Sequence, residues 1–256
     1  MMTQTEILQT ALDQSAIDLN CRPEDLVSGR KVVVESAPHP KARAYLRLPF
    51  SCNLVSYGGG AVASVSPEAR EIVTAYIEKY PTEHLFETPN LHVLDDALAS
   101  LGLRTCFMAE YFLPDLNALR PLPCKYRLRL LGPADFKELY LPQWSNALSD
   151  KRPHLDVLGV GAYDGETLIG FAGCSADCDT MWQIGIDVLP AYRRQGIAAA
   201  LTSRLALECL ERGKVPFYCA AWSNIPSVRN AIRAGFRPTW VELTTKSIET
   251  VNGMNA

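Results

Sequence analysis

The sequence predicts an α/β protein, and three kinds of pattern support this fold class. Apolar residues, several of them β-branched, alternate along segments such as Met181–Val188, which is typical of a strand. Apolar residues recur at every fourth position from Ile197 to Cys209, which favours a helix with one apolar face. Proline and glycine stand after these segments, as at Pro190 and Gly213. Strands and helices therefore follow one another along the chain.

The length of 256 residues suggests two modules rather than one. The Pro-rich segment Arg120–Pro123 is the linker that we expect between them. It divides the chain into an N-terminal α/β module, residues 1–123, and a second domain, residues 124–256. The first module has a strand signal at Lys31–Glu35 and a helix start at Ser66–Glu68, where a serine cap is followed by proline and an acid.

The composition argues against several classes of function. The formal net charge is −3, with 25 Lys and Arg against 28 Asp and Glu, which argues against a nucleic-acid-binding surface. No apolar run approaches the roughly 18–20 residues that span a bilayer, and the N-terminus lacks the features of a signal peptide. We therefore expect no membrane association and a cytoplasmic location. The eight cysteines form no Cys-x-x-Cys pair, which favours reduced thiols and no metal site.

The segment Asp187–Ala198 is the most informative part of the sequence. It contains the end of a predicted strand, a proline, and the pattern Arg-x-x-Gly-x-Ala from Arg193 to Ala198 at the start of a predicted helix. A helix start has free backbone N–H groups and the positive end of the helix dipole, so it suits an anion such as a pyrophosphate. Gly196 and Ala198 have no bulky side chain that would keep a phosphate away from the backbone.

This pattern resembles the acetyl-CoA pyrophosphate loop of the GCN5-related N-acetyltransferase (GNAT) superfamily. Other parts follow in the family's order: a strand at Val215–Trp222, then Asn224, then a short helix over Ser227–Ala234, then Gly235-Phe236. The resemblance covers residues 125–240, about half of the chain. Segments such as Met181–Val188 also resemble the two-domain, zwittermicin-resistance-type branch of the superfamily.

The resemblance implies a GNAT fold, with a mixed central sheet that is splayed at the acetyl-CoA site and flanked by helices. For the N-terminal α/β module, a degenerate copy of the same fold is one candidate. The resemblance also implies that acetyl-CoA is bound as a co-substrate, without a metal. The implied contacts are made by Ile186, Val188, Arg193, Arg194, Gln195, Gly196, Ile197, Ala198, Asn224 and Ser227.

Each of these residues also has an ordinary structural interpretation. Ile186 and Val188 are expected to offer main-chain groups to the pantetheine arm, but their side chains suit a core strand equally well. Arg193 and Arg194 are equally compatible with phosphate contacts and with solvated surface positions. Asn224 is expected to reach the pantetheine arm, although a helix cap is the alternative.

The catalytic group stays unassigned at this point. Many family members carry a tyrosine seven residues after the motif asparagine, and this sequence has Ala231 there. Ser227, Tyr218 and Asp177 are weak candidates. The expected function is direct transfer of the acetyl group of acetyl-CoA to an amine of a small-molecule acceptor. A non-catalytic acyl-CoA-binding sensor or interaction protein is the alternative, and a homodimer is an open possibility.

Overall fold

The computed structural model describes residues 2–256, which form two compact units. Unit 1 consists of the residues up to Ala11 together with Phe112–Pro238. Unit 2 consists of Leu12–Tyr111 and Thr239–Ala256. Each unit is therefore built from two separate stretches of the chain.

The helices and strands follow one another in an α/β order. In chain order they are α1 (Gln4–Leu19), β1 (Lys31–Glu35), β2 (Cys52–Ser56), β3 (Ala61–Val65), α2 (Arg70–Lys79), α3 (Thr88–Leu98), β4 (Leu103–Pro114), β5 (Arg127–Leu131), β6 (Asp156–Asp164), β7 (Thr167–Ser175), β8 (Met181–Val188), α4 (Ile197–Glu211), β9 (Val215–Ala220), α5 (Ile225–Arg233), β10 (Phe236–Ser247) and α6 (Ile248–Met254).

Unit 1 contains a mixed sheet in the order β9-β8-β7-β6-β5. The four strands β5 to β8 pair antiparallel, and β8 pairs parallel with β9. Helix α4 covers one face of this sheet, where the Sγ atom of Cys174 on β7 lies 3.2 Å from that of Cys209 on α4. The sheet is mixed because the β8-to-β9 connection contains a helix, whereas the earlier connections are turns or loops.

The opposite face of this sheet is covered by the segment 142–148. Gly173 on β7 and Gly185 on β8 let its backbone approach closely, because a Cβ atom at Gly173 would overlap the carbonyl oxygen of Ala147 and one at Gly185 would overlap that of Asn146. The carboxylate of Asp187 accepts hydrogen bonds from the backbone N–H of Asn146 at 2.9 Å and of Ala147 at 3.1 Å. These contacts fix the segment on the sheet.

Unit 2 contains strands in the order β1-β3-β2-β10-β4. Helices α2 and α3 cover one face with an apolar cluster that includes Val73, Leu94 and Leu243. Elsewhere in unit 2 lies a buried ionic cluster, in which the guanidinium of Arg43 pairs with Asp18 and, at 2.7 Å, with Glu242.

The compact units follow different bounds from the predicted division into residues 1–123 and 124–256. Residues 112–123 cluster with the second half of the chain, and 239–256 cluster with the first half. The physical reason is strand β10, which pairs with β2 from Val241 to Thr244. A domain boundary near Pro123 stays a prediction. No helix within residues 2–256 has both the length and the apolar character that crossing a bilayer requires.

Candidate functional site

Strands β8 and β9 separate along their length. Their parallel ladder comprises three pairs, from Met181↔Val215 to Gln183↔Phe217. No further ladder pair joins them within residues 2–256, although β8 continues to Val188 and β9 to Ala220. On its other edge β8 stays paired with β7 as far as Val188. The edge of β8 that faces β9 is therefore open from Ile184 onward, and Ile186 and Val188 lie on this open stretch.

The start of α4 carries unused hydrogen-bond donors. The chain leaves β8 through a helical turn at Pro190–Tyr192 and enters α4 through Gly196, whose φ is +82°. In the described part of the chain, the backbone N–H groups from Arg194 to Ala199 have no acceptor. Glycine is the residue that adopts this left-handed conformation without strain. Such a row of free N–H groups at the N-terminus of a 15-residue helix is typical of places that bind anions.

Three arginines stand near this helix start, and their positions differ. Arg193 donates from Nε to the carbonyl oxygen of Val188 at 3.0 Å, so its guanidinium is held at the end of β8. Arg194 is exposed, with a φ of +61°. Arg233, at the end of α5, places Nη2 3.9 Å from the position that a Cβ atom of Gly196 would occupy. Arg233 was not predicted from the sequence, because no local spacing relates it to the loop.

Two tyrosines hold the loop in place. The hydroxyl of Tyr126 donates to Oε1 of Gln195 at 3.2 Å, and that of Tyr192 donates to Oδ2 of Asp164 at 3.1 Å. The two rings meet edge to face with their centroids 5.7 Å apart. Asp164 lies in the β6–β7 hairpin, so the loop is tied to the sheet at a second point. The side chain of Gln195 thus has a positioning contact in this structure.

Asn224 and Ser227 begin helix α5. The Oδ1 atom of Asn224 accepts from the backbone N–H of Ser227 at 3.3 Å, which is the helix-cap role considered for Asn224 above. The hydroxyl of Ser227 lies 2.7 Å from that of Tyr218. Tyr218 is buried and directly follows Phe217, where the β8–β9 ladder ends. Burial raises the pKa of Tyr218. Two candidates from the sequence therefore meet where the strands part.

The other two positions that bear on catalysis lie apart from this pair. Ala231 is fully buried in α5 and offers no hydroxyl group. Asp177 lies in the turn before β8, whereas the loop from Arg193 to Ala198 follows the end of that strand. Its carboxylate pairs with the guanidinium of Arg152. Within the described residues, no three His, Cys, Asp or Glu side chains form a group that could hold a metal ion.

A family model described as GNAT acetyltransferase matches residues 103–239, more than half of the chain. This stretch contains every element of the site described above. The chain matches no curated protein.

Several solved structures are similar to the chain. A GNAT-family acetyltransferase structure from Novosphingobium aromaticivorans has 21% identity and a TM-score of 0.42, over 56% of this chain and 66% of that one. A GCN5-related N-acetyltransferase-like protein from Streptococcus suis has 20% identity and a TM-score of 0.45, over 61% and 69%. An aminoglycoside N-acetyltransferase, AAC(6')-Iy in complex with CoA, has 20% identity and a TM-score of 0.36, over 47% and 93%. The match to the first of these structures spans just under two thirds of that chain's own length.

Proposed function

The chain belongs to the GNAT acetyltransferase family, and we propose that it transfers the acetyl group of acetyl-CoA directly to an amine of a small-molecule acceptor. The observation that carries this proposal is the row of unused backbone N–H groups at the start of α4, which follows the strand whose edge is open. Acetyl-CoA has a pyrophosphate, which suits the start of a helix, and an extended pantetheine arm, which suits an open strand edge, so it needs these two features side by side.

The residues of unit 1 fit acetyl-CoA as follows. The N–H groups from Arg194 to Ala199 bind the pyrophosphate, and the guanidinium of Arg233 adds positive charge beside them. The pantetheine arm takes up main-chain hydrogen bonds along the open edge of β8, at Ile186 and Val188. A main-chain N–H on this edge polarises the thioester carbonyl.

The same geometry suggests a proton donor. The neutral amine of the acceptor attacks the thioester carbon, and the C–S bond breaks with its electron pair going to sulfur. The hydroxyl of Ser227, hydrogen-bonded to that of Tyr218, gives a proton to this sulfur. The proton that the amine loses passes through water to the oxygen of Ser227 and restores its hydroxyl, so that CoA leaves as the thiol. Because its pKa is raised by burial, Tyr218 keeps its own proton at neutral pH and serves as a hydrogen-bond partner.

Calorimetric titration with acetyl-CoA tests the proposal. Wild-type protein should bind, and Gly196→Glu should weaken binding by more than about tenfold because it places an anion in the phosphate site. Gly213→Glu is a matched control. Gly213 also has a left-handed backbone, with φ +69°, but it follows the other end of α4. Both variants carry a similar backbone strain, of about 1–2 kcal/mol. Absence of binding to the wild type, or equal losses in both variants, would refute the proposal.

The non-catalytic sensor is the second candidate, and the buried Ala231 at the position of the family's tyrosine favours it. Both candidates bind acetyl-CoA and differ in turnover. A thiol-release assay over a panel of small amines separates them, because a sensor releases no CoA thiol above the rate of spontaneous hydrolysis. The cytoplasmic location, the homodimer and the zwittermicin-resistance-type branch stay predictions from the sequence.

A further inference from the structure

Strand β1 lies at the edge of the sheet of unit 2, and its outer edge is open. It pairs with β3 on one side and stands last in the strand order β1-β3-β2-β10-β4. Just outside β1, the carbonyl oxygen of Arg30 accepts from β3 and the N–H of Ser36 donates to β3, so even-numbered residues face that strand. Successive residues of an extended strand turn their main-chain groups to opposite edges. The groups that face the open edge therefore belong to Lys31, Val33 and Glu35.

Side chains cap two carbonyl groups of this edge, but its N–H groups are free. Nη1 of Arg70 donates to the carbonyl oxygen of Val33 at 3.4 Å, and Nδ2 of Asn20 donates to that of Glu35 at 3.0 Å. Among the residues that the structure describes, no acceptor serves the outward N–H groups of Lys31, Val33 and Glu35. Natural proteins usually protect an open edge with a central charge, a proline or a bulge. The middle of β1 instead has three half-buried valines, which suit pairing with another strand.

The sequence of β1, Lys-Val-Val-Val-Glu, complements itself in antiparallel pairing. When two copies pair about a two-fold axis at Val33, the outward main-chain groups of one strand meet those of the other. The same register places Lys31 of each copy opposite Glu35 of the other. Opposite charges directly across a strand pair stabilise it, whereas like charges destabilise it. Parallel pairing in register would place Lys31 against Lys31, so the charges favour the antiparallel arrangement of two copies.

Helix α2 offers a second self-complementary surface beside the same edge. Its first residue, Arg70, reaches the outer edge of β1 at Val33, so the side of α2 that carries Arg70, Thr74 and Glu78 lies along this edge. A shallow cavity of about 460 Å³ on this side is lined by Pro67, Arg70, Glu71, Thr74, Ala75 and Glu78. Under the two-fold axis the two α2 helices run antiparallel, with Arg70 of each copy facing Glu78 of the other. The small residues Thr74 and Ala75 lie between these charges and let the helices approach each other.

We propose that the outer edge of β1 and the adjoining side of α2 form the interface of a homodimer, in which the sheets of two copies join through their β1 strands. On pairing, an N–H of the second copy replaces Arg70 at the carbonyl oxygen of Val33, which frees the guanidinium for Glu78 of that copy. One short strand and one side of a helix make a small interface, so we expect a dimer Kd in the micromolar range. The inference concerns unit 2 alone and is independent of the proposed acetyl transfer, whose residues lie in unit 1.

Charge reversal, read out by sedimentation velocity from micromolar to submillimolar protein, tests this register. Lys31→Glu places a glutamate opposite Glu35 of the second copy, and Glu35→Lys places a lysine opposite Lys31, so each variant alone should raise the dimer Kd by about tenfold or more. An equimolar mixture of the two variants should dimerise like the wild type, because every facing pair then has opposite charges. Lys79→Glu, at an exposed position on another side of α2, is the matched control and should also dimerise like the wild type.

Val33→Pro is a second variant, which serves if a charge variant does not fold. The N–H of Val33 faces the open edge, so proline leaves the β1–β3 ladder intact and removes the hydrogen bond at the two-fold axis. This variant should be monomeric with an unchanged circular dichroism spectrum. A wild type that stays monomeric at submillimolar concentration would overturn the inference. Single variants that dimerise like the wild type, or a mixture of the charge variants that stays monomeric, would overturn it as well.

Discussion

The charge that Arg233 brings to the start of α4 is open to a direct test at the residue scale. Its guanidinium lies beside Gly196 and is exposed, with no ion-pair partner within residues 2–256. A charge-assisted hydrogen bond to a phosphate contributes about 1.5–3 kcal/mol. We expect Arg233→Ala to raise the Kd for acetyl-CoA about tenfold or more, and the loss should shrink as salt is added. Arg229→Ala, one turn earlier on α5, is the control. Equal effects of both variants would mean that only the general positive charge of α5 matters.

Ser227 and Tyr218 make a second residue-scale prediction. We expect Ser227→Ala to lower kcat by about 10²-fold, the lower end of what a positioned acid contributes, with little change in the Kd for acetyl-CoA. Tyr218→Phe should have a smaller effect because it removes only the hydrogen-bond partner. Ser223→Ala, in the exposed turn before α5, is the control. Steady-state kinetics and calorimetry on the same samples measure both quantities. A fall in acetyl-CoA affinity without a fall in kcat would assign the pair to binding instead.

The raised pKa of Tyr218 sets the pH range over which its hydroxyl stays protonated in the folded protein. Burial raises this pKa, so the folded protein holds the proton more strongly than the unfolded chain does. The stability that this contributes is present below the unfolded pKa, about 10, and is lost as the pH rises through the higher folded value. The pH–rate profile should therefore show no loss from Tyr218 ionisation between pH 6 and about 10.

The residues of the site differ in how far the sequence predicts them. The turn at Gly196 depends on neighbours within a few residues, so the local pattern predicts it. The helix cap at Asn224 was only the alternative to the expected pantetheine contact, which stays a prediction. Arg233 and Tyr126 reach the loop through the tertiary fold, and no local pattern marks them. The pairing of Ser227 with Tyr218 was open in the sequence for the same reason.

At the scale of elements, the close contact between β8 and the segment 142–148 makes a prediction. A methyl group at Gly185 would overlap the carbonyl oxygen of Asn146, so Gly185→Ala must displace the segment or the strand. Overpacking of this kind typically costs about 1–3 kcal/mol. Gly132→Ala is the control, since a methyl group there meets open space at an ordinary φ of −118°. Thermal unfolding should separate the two variants. A melting temperature for Gly185→Ala equal to that of Gly132→Ala would show that the segment yields without cost.

The elements themselves were predicted unevenly. Strand β8 and helix α4 were predicted because their apolar residues keep strict periods of two and four. The parting of β8 from β9 came only with the family resemblance, because the residues after Gln183 are as apolar as those before it. Strand β10 was missed, since Arg237, Pro238 and Glu242 interrupt its apolar pattern. Glu242 is tolerated there because it pairs with buried Arg43.

The two units of the whole molecule are interleaved in sequence, so no single cut separates them. Unit 2 combines two stretches that are far apart in the sequence, Leu12–Tyr111 and Thr239–Ala256. Trp240 of the second stretch stacks between Tyr57 and Tyr111 of the first, at centroid distances of 5.3 and 4.8 Å. Glu242 completes the cluster around Arg43. The sequence gives no sign of these partnerships, because the pairs are separated by more than a hundred residues. We therefore expect the folded state of the first half of the chain to depend on the last strand, β10.

Truncation tests this dependence on the C-terminus. We expect a chain that ends at Pro238 to lose the folded state of unit 2, because it lacks Trp240 and Leu243, whose removal from a core costs about 2–5 kcal/mol each, and the ladder partner of β2. That loss is comparable with the whole stability of a typical domain, about 5–15 kcal/mol. A chain that ends at Ser247 keeps β10 and lacks only α6 and the residues after it, so it should stay folded. Limited proteolysis should cleave residues 12–111 rapidly in the first chain and slowly in the second. Equal resistance of the two chains would show that unit 2 folds without β10. The ion cluster at Arg43 would then not be required for folding.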